Sequence, residues 1–211
     1  MRYERKFRVE NIPPQELLQY LKQHPAGLIS LYPDRQINNI YFDTPNFVMY
    51  QDNVMGLAER KKVRVRWYGE NIREIRKPIL ELKTRHNEQG DKKSFPVQIF
   101  SLAQLAPLTQ EVAQLSQIYT ALQPVLLNSY KRSYWGTRNG EFRWTLDWDL
   151  RYTSLVHNPI FQTHQHSETG VCILELKYAP EHEERVDEQV QFIPFPRTKN
   201  SKYVSGVELT L

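Results

Sequence analysis

The sequence predicts an α+β protein built on an antiparallel β-sheet or barrel with flanking helices. Most of the chain alternates between polar and apolar residues with a period of two, which is typical of strands with one buried face. Two segments instead space their apolar residues as a helix does. Many short strands with a few helices are expected to form one antiparallel sheet with the helices packed on it.

The first helix is expected over residues 15–24, after Pro13-Pro14, with Leu17 and Leu21 on its apolar stripe. The second helical region spans 102–122, and Pro107 is expected to break it in two. A polar loop is expected over 87–93, and Asn139-Gly140 predicts a hairpin turn. Strands are expected at 2–9, 37–43, 60–68, 78–85, 94–100, 128–136, 141–149 and 171–178, with 188–193 as a further candidate.

Composition is that of an ordinary globular chain. It has 211 residues, of which 40% are hydrophobic and 25% charged, and this excludes collagen, coiled coil and disordered polymer. We find no repeat or flexible linker and expect a single domain over 1–211. The lone Cys172 excludes an intramolecular disulfide, and no segment resembles a secretory signal or an apolar span. We therefore expect a soluble, cytoplasmic protein.

Basic residues concentrate in the first half of the chain. The formal net charge is only +4, but residues 1–93 hold 18 basic and 12 acidic side chains, whereas 94–211 hold 10 and 12. On strands these charges share faces, because side chains two residues apart point the same way. The charged sets are Arg2, Glu4, Lys6, Arg8; Arg60, Lys62, Arg64, Arg66; Glu81, Lys83, Arg85; Glu141, Arg143, Thr145, Asp147, Asp149; and Glu175, Lys177.

Two interpretations of these charged faces are open. Each face could simply meet water, as in many half-buried antiparallel sheets. Alternatively, a sheet that closes into a barrel would turn one alternating set inward and line a tunnel with cations. Such a lining suits a polyanion, since guanidinium groups fit phosphate oxygens. The interleaved carboxylates would then suit Mg²⁺ or Mn²⁺.

Short motifs along the chain make a family recognisable. They are Tyr3-Glu4-Arg5-Lys6-Phe7, Ile40-Tyr41-Phe42-Asp43-Thr44, Lys62-Val63-Arg64-Val65-Arg66-Trp67-Tyr68, Glu81-Leu82-Lys83-Thr84-Arg85, Gly90-Asp91-Lys92-Lys93, Tyr130-Lys131-Arg132, Arg143-Trp144-Thr145-Leu146-Asp147, Leu174-Glu175-Leu176-Lys177 and Ser201-Lys202-Tyr203. In this order they resemble the VTC (vacuolar transporter chaperone) domain. This domain is the polyphosphate polymerase branch of the CYTH-like triphosphate tunnel metalloenzymes.

The resemblance implies a fold and a set of site residues. The implied fold is an antiparallel β-barrel that forms a triphosphate tunnel. Arg64, Arg66, Lys83 and Arg132 would act in catalysis, and Glu175 would hold Mn²⁺ or Mg²⁺. The implied phosphate-binding residues are Lys6, Arg64, Arg66, Lys83, Lys92, Lys93, Arg132, Arg143, Lys177 and Lys202.

The first strand departs from the superfamily pattern. Where the wider superfamily has Glu-x-Glu-x-Lys, this chain has Arg2-x-Glu4-x-Lys6. The replacement weakens a two-metal hydrolase or cyclase interpretation and favours the polymerase-like branch. The sequence leaves two roles open for Glu4, which could be a metal ligand or a salt-bridge partner of the neighbouring cations.

The implied activity is metal-dependent phosphoryl transfer, with polyphosphate made from a nucleoside triphosphate. Hydrolysis of triphosphates and a non-catalytic polyphosphate-binding module are the alternatives. The expected partners are a nucleoside triphosphate and polyphosphate, with any membrane association requiring a separate protein. Nucleic acid is not expected, because most aromatic residues alternate away from the basic faces. The pair His164-x-His166 is interpreted as a surface feature and Cys172 as a buried filler.

Overall fold

A computed structural model describes residues 3–86, 89–118, 121–156 and 165–211. Within these ranges the chain forms strands β1 (Tyr3–Glu10), β2 (Ile29–Asp43), β3 (Glu59–Tyr68), β4 (Ile79–His86), β5 (Gln89–Pro96), β6 (Gln123–Gly136), β7 (Phe142–Ser154), β8 (Gln165–Glu168) and β9 (Val171–Tyr178). The helices are α1 (Pro14–Lys22), α2 (Val48–Met55), α3 (Leu105–Ser116), α4 (Val186–Val190) and α5 (Lys202–Thr210), with a 3-10 helix at Pro180–Arg185.

The strands form one sheet in the order β1-β9-β7-β6-β2-β3-β4-β5, and β8 pairs with β7. The strand pairs β1–β9, β9–β7, β2–β3, β3–β4 and β4–β5 are all antiparallel. An antiparallel sheet with flanking helices is the α+β architecture that the sequence predicts. Contacts divide the chain into two compact units, which are described separately.

The first unit comprises Met1–Arg35, Tyr130–Leu150 and Ser167–Asn200. Its core forms on one face of β1, β9 and β7, where Phe7, Trp144 and Leu174 pack together. Helix α1 adds Leu17 and Leu21, both fully buried. Pro14 fits the start of α1 because the first turn of a helix has no partner for its N–H groups.

The second unit comprises Gln36–Ser129, Arg151–His166 and Ser201–Leu211. The apolar faces of β2, β3 and β4 carry Phe42, Val65 and Leu80 into its core. Helix α3 covers this core with Leu108 and Val112. The division leaves the single domain over 1–211 a prediction from the sequence.

Several elements differ from the sequence expectations. Pro107 lies in the first turn of α3 and does not break it, because that turn has N–H groups with no helical acceptor. Residues 89–93, expected as loop, join 94–96 in strand β5, and the candidate strand at 188–193 is not formed, since its first three residues lie in α4. Helices α2 and α5 and the outer half of β2 were not predicted. No helix among the described residues is long and apolar enough to cross a membrane.

Candidate functional site: two charged strand faces

The first unit carries its charges on the sheet face opposite the core. The register pairs Glu4 with Lys177 and Lys6 with Glu175, and it pairs Lys177 with Arg143 across the next strand. Directly paired residues in an antiparallel sheet share a face. These side chains therefore form a continuous surface, here called the first charged face. Its described members are Glu4, Lys6, Arg8, Arg132, Arg143, Thr145, Asp147, Glu175 and Lys177. Arg2 lies outside the described residues.

The two candidate metal ligands contact lysines on this face. Glu175 is only 6% exposed, and its carboxylate lies 3.1 Å from Nζ of Lys177 and 3.8 Å from Nη2 of Arg132. The Glu4 carboxylate lies 3.5 Å from Nζ of Lys6 and 3.4 Å from Nζ of Lys177. The Lys177 ammonium thus contacts both carboxylates. Glu4 makes the salt bridges that the sequence left as one of its two roles.

Arg132 is held by an aspartate that the sequence argument did not assign to the site. Its Nε and Nη2 donate to the two carboxylate oxygens of Asp147 at 2.5 and 2.6 Å, and Asp147 is fully buried. Burial alone would lower the pKa of Arg132, but Asp147 and Glu175 raise it well above its ordinary value. The arginine therefore stays charged in a fixed orientation. Asp147 could have been found from its alternation with Arg143 and Thr145.

A segment near the C-terminus runs beside β1. Thr198 N–H donates to the carbonyl of Lys6 at 2.8 Å, and the Thr198 hydroxyl accepts from the Arg8 N–H at 2.9 Å. The Lys6 ammonium donates to the carbonyl of Asn200 at 3.1 Å. These bonds hold the Lys6 side chain at the edge of the first charged face.

The second unit has its own charged face on β2 to β5. The register pairs Arg64 with both Tyr41 and Glu81, and it pairs Lys83 with both Lys62 and Lys92. Cations outnumber carboxylates on this surface, here called the second charged face. Its described members are Asn39, Tyr41, Arg60, Lys62, Arg64, Arg66, Glu81, Lys83, Arg85 and Lys92.

Glu81 is the anionic centre of this second face. The carboxylate is 4% exposed and lies 2.5 Å from Nη2 of Arg64, 3.7 Å from Nη1 of Arg66 and 2.5 Å from Nζ of Lys92. Burial would raise the pKa of Glu81, but the charges of Arg64, Arg66 and Lys92 hold it well below its usual range. One carboxylate shared by three cations leaves local positive charge for an anion.

Buried amides orient the second arginine. Arg66 Nε donates to Oδ1 of Asn39 at 3.0 Å, and Nδ2 of Asn39 donates to Oδ1 of Asn128 at 3.3 Å. Both asparagines are fully buried. On the same strand, the Tyr41 hydroxyl accepts from Nη1 of Arg64 at 3.3 Å. Sequence reasoning missed the asparagines, because only the fold shows which polar strand residues are buried together.

The start of α5 lies beside β3. The Ser201 hydroxyl accepts from the Val204 N–H at 3.3 Å and from Nζ of Lys62 at 2.9 Å, so it caps the helix and contacts a lysine at once. Tyr203 stacks on Tyr41 with ring centroids 4.9 Å apart. These contacts fix Lys202, the first residue of α5, near the second charged face.

The positions of Lys92 and Lys93 differ from the sequence expectation. Lys92 and Lys93 were expected to help from a loop, but both lie in β5. Lys92 is paired with Lys83, whereas Lys93 is paired with Leu82, whose side chain packs against the apolar core. The pleat therefore places Lys93 on the opposite face from the other candidate phosphate ligands.

A cavity of about 270 Å³ opens at one end of the first charged face. Arg143 and Lys177, which are directly paired across β7 and β9, form part of its wall. Gly140 and His182 contribute to the rest of the wall. Two of the predicted phosphate ligands therefore border space that can admit a ligand.

The donor set suits a divalent cation that arrives with phosphate. Within the described ranges, no three His, Cys, Asp or Glu side chains gather as a metal cage. Mg²⁺ commonly binds one or two carboxylates and takes its other ligands from water and substrate phosphates. Glu175 and Glu4 can supply those carboxylates, so the residues present fit a shared protein–phosphate site.

From the sequence, Cys172 is expected to be a buried filler and His164-x-His166 a surface feature. Cys172 is buried in the first core, and burial raises the pKa of its thiol to about 12. A thiol that is protonated at neutral pH is a poor nucleophile. His164 lies outside the described residues, and His166 lies in the short strand β8.

Comparison by sequence identifies a family but no individual relative. The family model described as VTC domain matches residues 1–211. This match confirms the resemblance carried by the motifs. A search of curated proteins found no match.

Solved structures share the fold at low sequence identity. An adenylate cyclase candidate from Vibrio parahaemolyticus is 14% identical with a TM-score of 0.56, covering 96% of this chain and 97% of its own. A protein from Pyrococcus horikoshii OT3 is 12% identical with a TM-score of 0.56, covering 98% and 99%. An adenylyl cyclase candidate from Hippeastrum, described as having a dominant triphosphatase activity, is 15% identical with a TM-score of 0.54, covering 99% and 97%. With the antiparallel sheet and its flanking helices, this likeness confirms the predicted fold class.

Proposed function

Because the chain belongs to the VTC-domain family, we propose that it catalyses metal-dependent phosphoryl transfer from a nucleoside triphosphate to a growing polyphosphate chain. The observation that carries this proposal is the group around Glu81, where Arg64, Arg66 and Lys92 share one carboxylate. Phosphoryl transfer is catalysed chiefly by positioning and by neutralising phosphate charge. Oriented arginines with excess positive charge provide both.

Each charged face is proposed to bind phosphate groups through its own cations. On the second face, Arg64 and Arg66 are oriented by Glu81 and Asn39, and a guanidinium group held in this way can bind phosphate oxygens. On the first face, Arg132 is oriented in the same way by Asp147. The proposed phosphate ligands are Lys6, Arg64, Arg66, Lys83, Lys92, Arg132, Arg143, Lys177 and Lys202.

Glu175, with Glu4 beside the same lysine, is proposed to hold Mn²⁺ or Mg²⁺. When bound, such an ion neutralises charge on the phosphate oxygens during transfer. Lys177 contacts both carboxylates and neutralises part of their charge. If a bound phosphate group formed an ion pair with Lys177, the carboxylates of Glu4 and Glu175 would be able to bind the metal ion instead. No side-chain nucleophile is required, since the acceptor is itself a phosphate.

The direct test is product analysis on a gel. Purified protein is incubated with ATP and Mn²⁺, alongside Arg64→Ala and Glu175→Ala. Long-chain polyphosphate from the wild type, and its loss in both variants, would support the proposal. If the wild type yields neither polyphosphate nor free phosphate, catalysis is excluded and a polyphosphate-binding role remains.

Triphosphate hydrolysis is a second candidate, favoured by the triphosphatase activity described for the Hippeastrum protein. The same incubation separates the two activities, because hydrolysis releases free phosphate without long chains. Added tripolyphosphate would be consumed by a hydrolase and extended by a polymerase. A binding module would leave it unchanged.

A further inference from the structure

Two tyrosines and an arginine form an aromatic cluster in the first unit. The rings of Tyr32 on β2 and Tyr134 on β6 meet edge to face, with centroids 5.5 Å apart. The Arg35 guanidinium lies 5.0 Å from the centroid of the Tyr32 ring and 5.7 Å from that of Tyr134. Tyr32 is 46% exposed, and Tyr134 is half-buried. These three residues are called the tyrosine platform.

The tyrosine platform continues the first charged face. Tyr134 follows Arg132 by two residues in β6, so the two side chains share a face and their backbones are about 7 Å apart. Arg132 is fixed by Asp147 and is one of the proposed phosphate ligands. A nucleoside triphosphate separates its base from its phosphates by a single ribose. The spacing therefore suits a base at Tyr134 with phosphates near Arg132.

The chemistry of the platform also suits a nucleobase. Aromatic faces and guanidinium planes both stack on bases, and they do so without strict sequence preference. Inorganic polyphosphate has no group that could use such a surface. A patch of aromatic rings beside phosphate-binding cations thus distinguishes a nucleotide from a bare phosphate chain.

From this arrangement we infer that Tyr32, Tyr134 and Arg35 bind the base of the nucleoside triphosphate donor and set the preference for nucleotide over inorganic tripolyphosphate. The inference rests on the proposed function, because it assigns a donor to the same face. Tyr134 provides the ring nearest the phosphates. Arg35 holds both rings in place and adds its own plane.

The test compares two ligands on the same set of variants. Adenylyl imidodiphosphate and inorganic tripolyphosphate, each with Mg²⁺, are titrated calorimetrically into wild type, Tyr134→Ala, Tyr134→Phe and Tyr32→Ala. Phe192→Ala is the matched control, since it removes a ring that is 45% exposed and packs edge to face on His24. Thermal melts verify that each variant is folded.

Selective loss of nucleotide binding is the expected result. Tyr134→Ala should raise the Kd of the nucleotide about tenfold, equivalent to about 1.4 kcal/mol, and leave that of tripolyphosphate unchanged. Tyr32→Ala should act in the same direction, whereas Tyr134→Phe and Phe192→Ala should bind like the wild type.

Three results would overturn the inference in distinguishable ways. Unchanged nucleotide binding in both alanine variants would reject the platform but leave the proposed function standing. Equal weakening of both ligands would show that the tyrosines support the fold or the phosphate ligands. A wild type that binds neither ligand would reject the platform together with the proposed function.

Discussion

The Glu81 carboxylate lies 2.5 Å from Nη2 of Arg64 and the same distance from Nζ of Lys92. One acidic group on β4 therefore contacts cations on both neighbouring strands, β3 and β5. A phosphate placed among these cations would have the same sign of charge as Glu81. The carboxylate therefore has two effects that can be separated by experiment. It orients Arg64, and it partly neutralises the site before substrate arrives.

Glu81→Gln is expected to lower the free energy of unfolding of the unliganded protein. It should also increase the stability that the protein gains when it binds a polyanion. Breaking a buried ion pair by removing one partner costs about 3 kcal/mol or more. Tripolyphosphate can supply the missing negative charge, so it should raise the melting temperature of the variant more than that of the wild type. Differential scanning fluorimetry with and without tripolyphosphate measures both effects. An equal or smaller shift in the variant would contradict this account of Glu81.

Lys92 and Lys93 provide a matched pair for the second charged face. They are adjacent in β5 but lie on opposite faces. Lys92→Ala is expected to weaken tripolyphosphate binding severalfold, since it removes a cation beside Glu81, whereas Lys93→Ala should have little effect. Titrations at two salt concentrations check that the loss is electrostatic. Equal losses in the two variants would show that general charge, rather than strand face, determines affinity.

Loss of the Asp147 charge is expected to lower the free energy of unfolding far more than loss of the Asp149 charge on the same strand. Asp147→Asn leaves the buried Arg132 without its charge partner and should cost about 3–5 kcal/mol. In Asp149→Asn the partner is Lys131, and that pair is 44–48% exposed, so the cost should be about 0–1 kcal/mol. Urea unfolding of the two variants gives both values. If the two variants lost similar amounts of stability, the conclusion that the buried pair with Asp147 is what stabilises Arg132 would be contradicted.

The depressed pKa of Glu81 predicts an acid-dependent stability. The folded-state pKa of Glu81 lies below the unfolded value of about 4.3. The ionised carboxylate therefore contributes its full stability above the unfolded pKa, and this contribution is lost as the pH falls from the unfolded pKa through the folded-state pKa. The stability difference between wild type and Glu81→Gln should therefore be largest near neutral pH and shrink below about pH 5. Unfolding free energies at a series of pH values measure it. Glu74→Gln is the matched control, because it removes one partner of an exposed pair with Arg76 and should change the stability by only about 0–1 kcal/mol.

Helix α5 is expected to depend on a glycine for its packing. A Cβ at Gly206 would lie 2.4 Å from Cδ2 of Leu126 and 2.6 Å from Cδ1 of Tyr152. Gly206→Ala should therefore shift α5 and destabilise the unit by about 1–3 kcal/mol. Because α5 begins at Lys202, we also expect weaker phosphate binding. Gly90→Ala is the control, since its nearest atom would be 3.9 Å away. An unchanged melting temperature in Gly206→Ala would contradict this packing.

The sequence alone determined the strand faces and most candidate ligands. Alternation with a period of two placed Arg64 with Arg66 and Glu175 with Lys177, because the pleat of a strand is a local property of the backbone. The same rule applied to β5 would have separated Lys92 from Lys93. The sequence does not show that separation, because residues 89–94 of β5 carry no apolar side chain and resemble a loop.

The tertiary structure decided which residues hold the candidate ligands in place. Asp147 with Arg132, Asn39 with Arg66 and Ser201 with Lys62 are pairs that lie 15, 27 and 139 residues apart along the chain. Strand register and helix packing bring them together, and neither can be deduced from local periodicity. The family motifs thus identified the charged groups in advance. Their orientation and counter-charges depend on non-local contacts, which form only when the sheet is assembled.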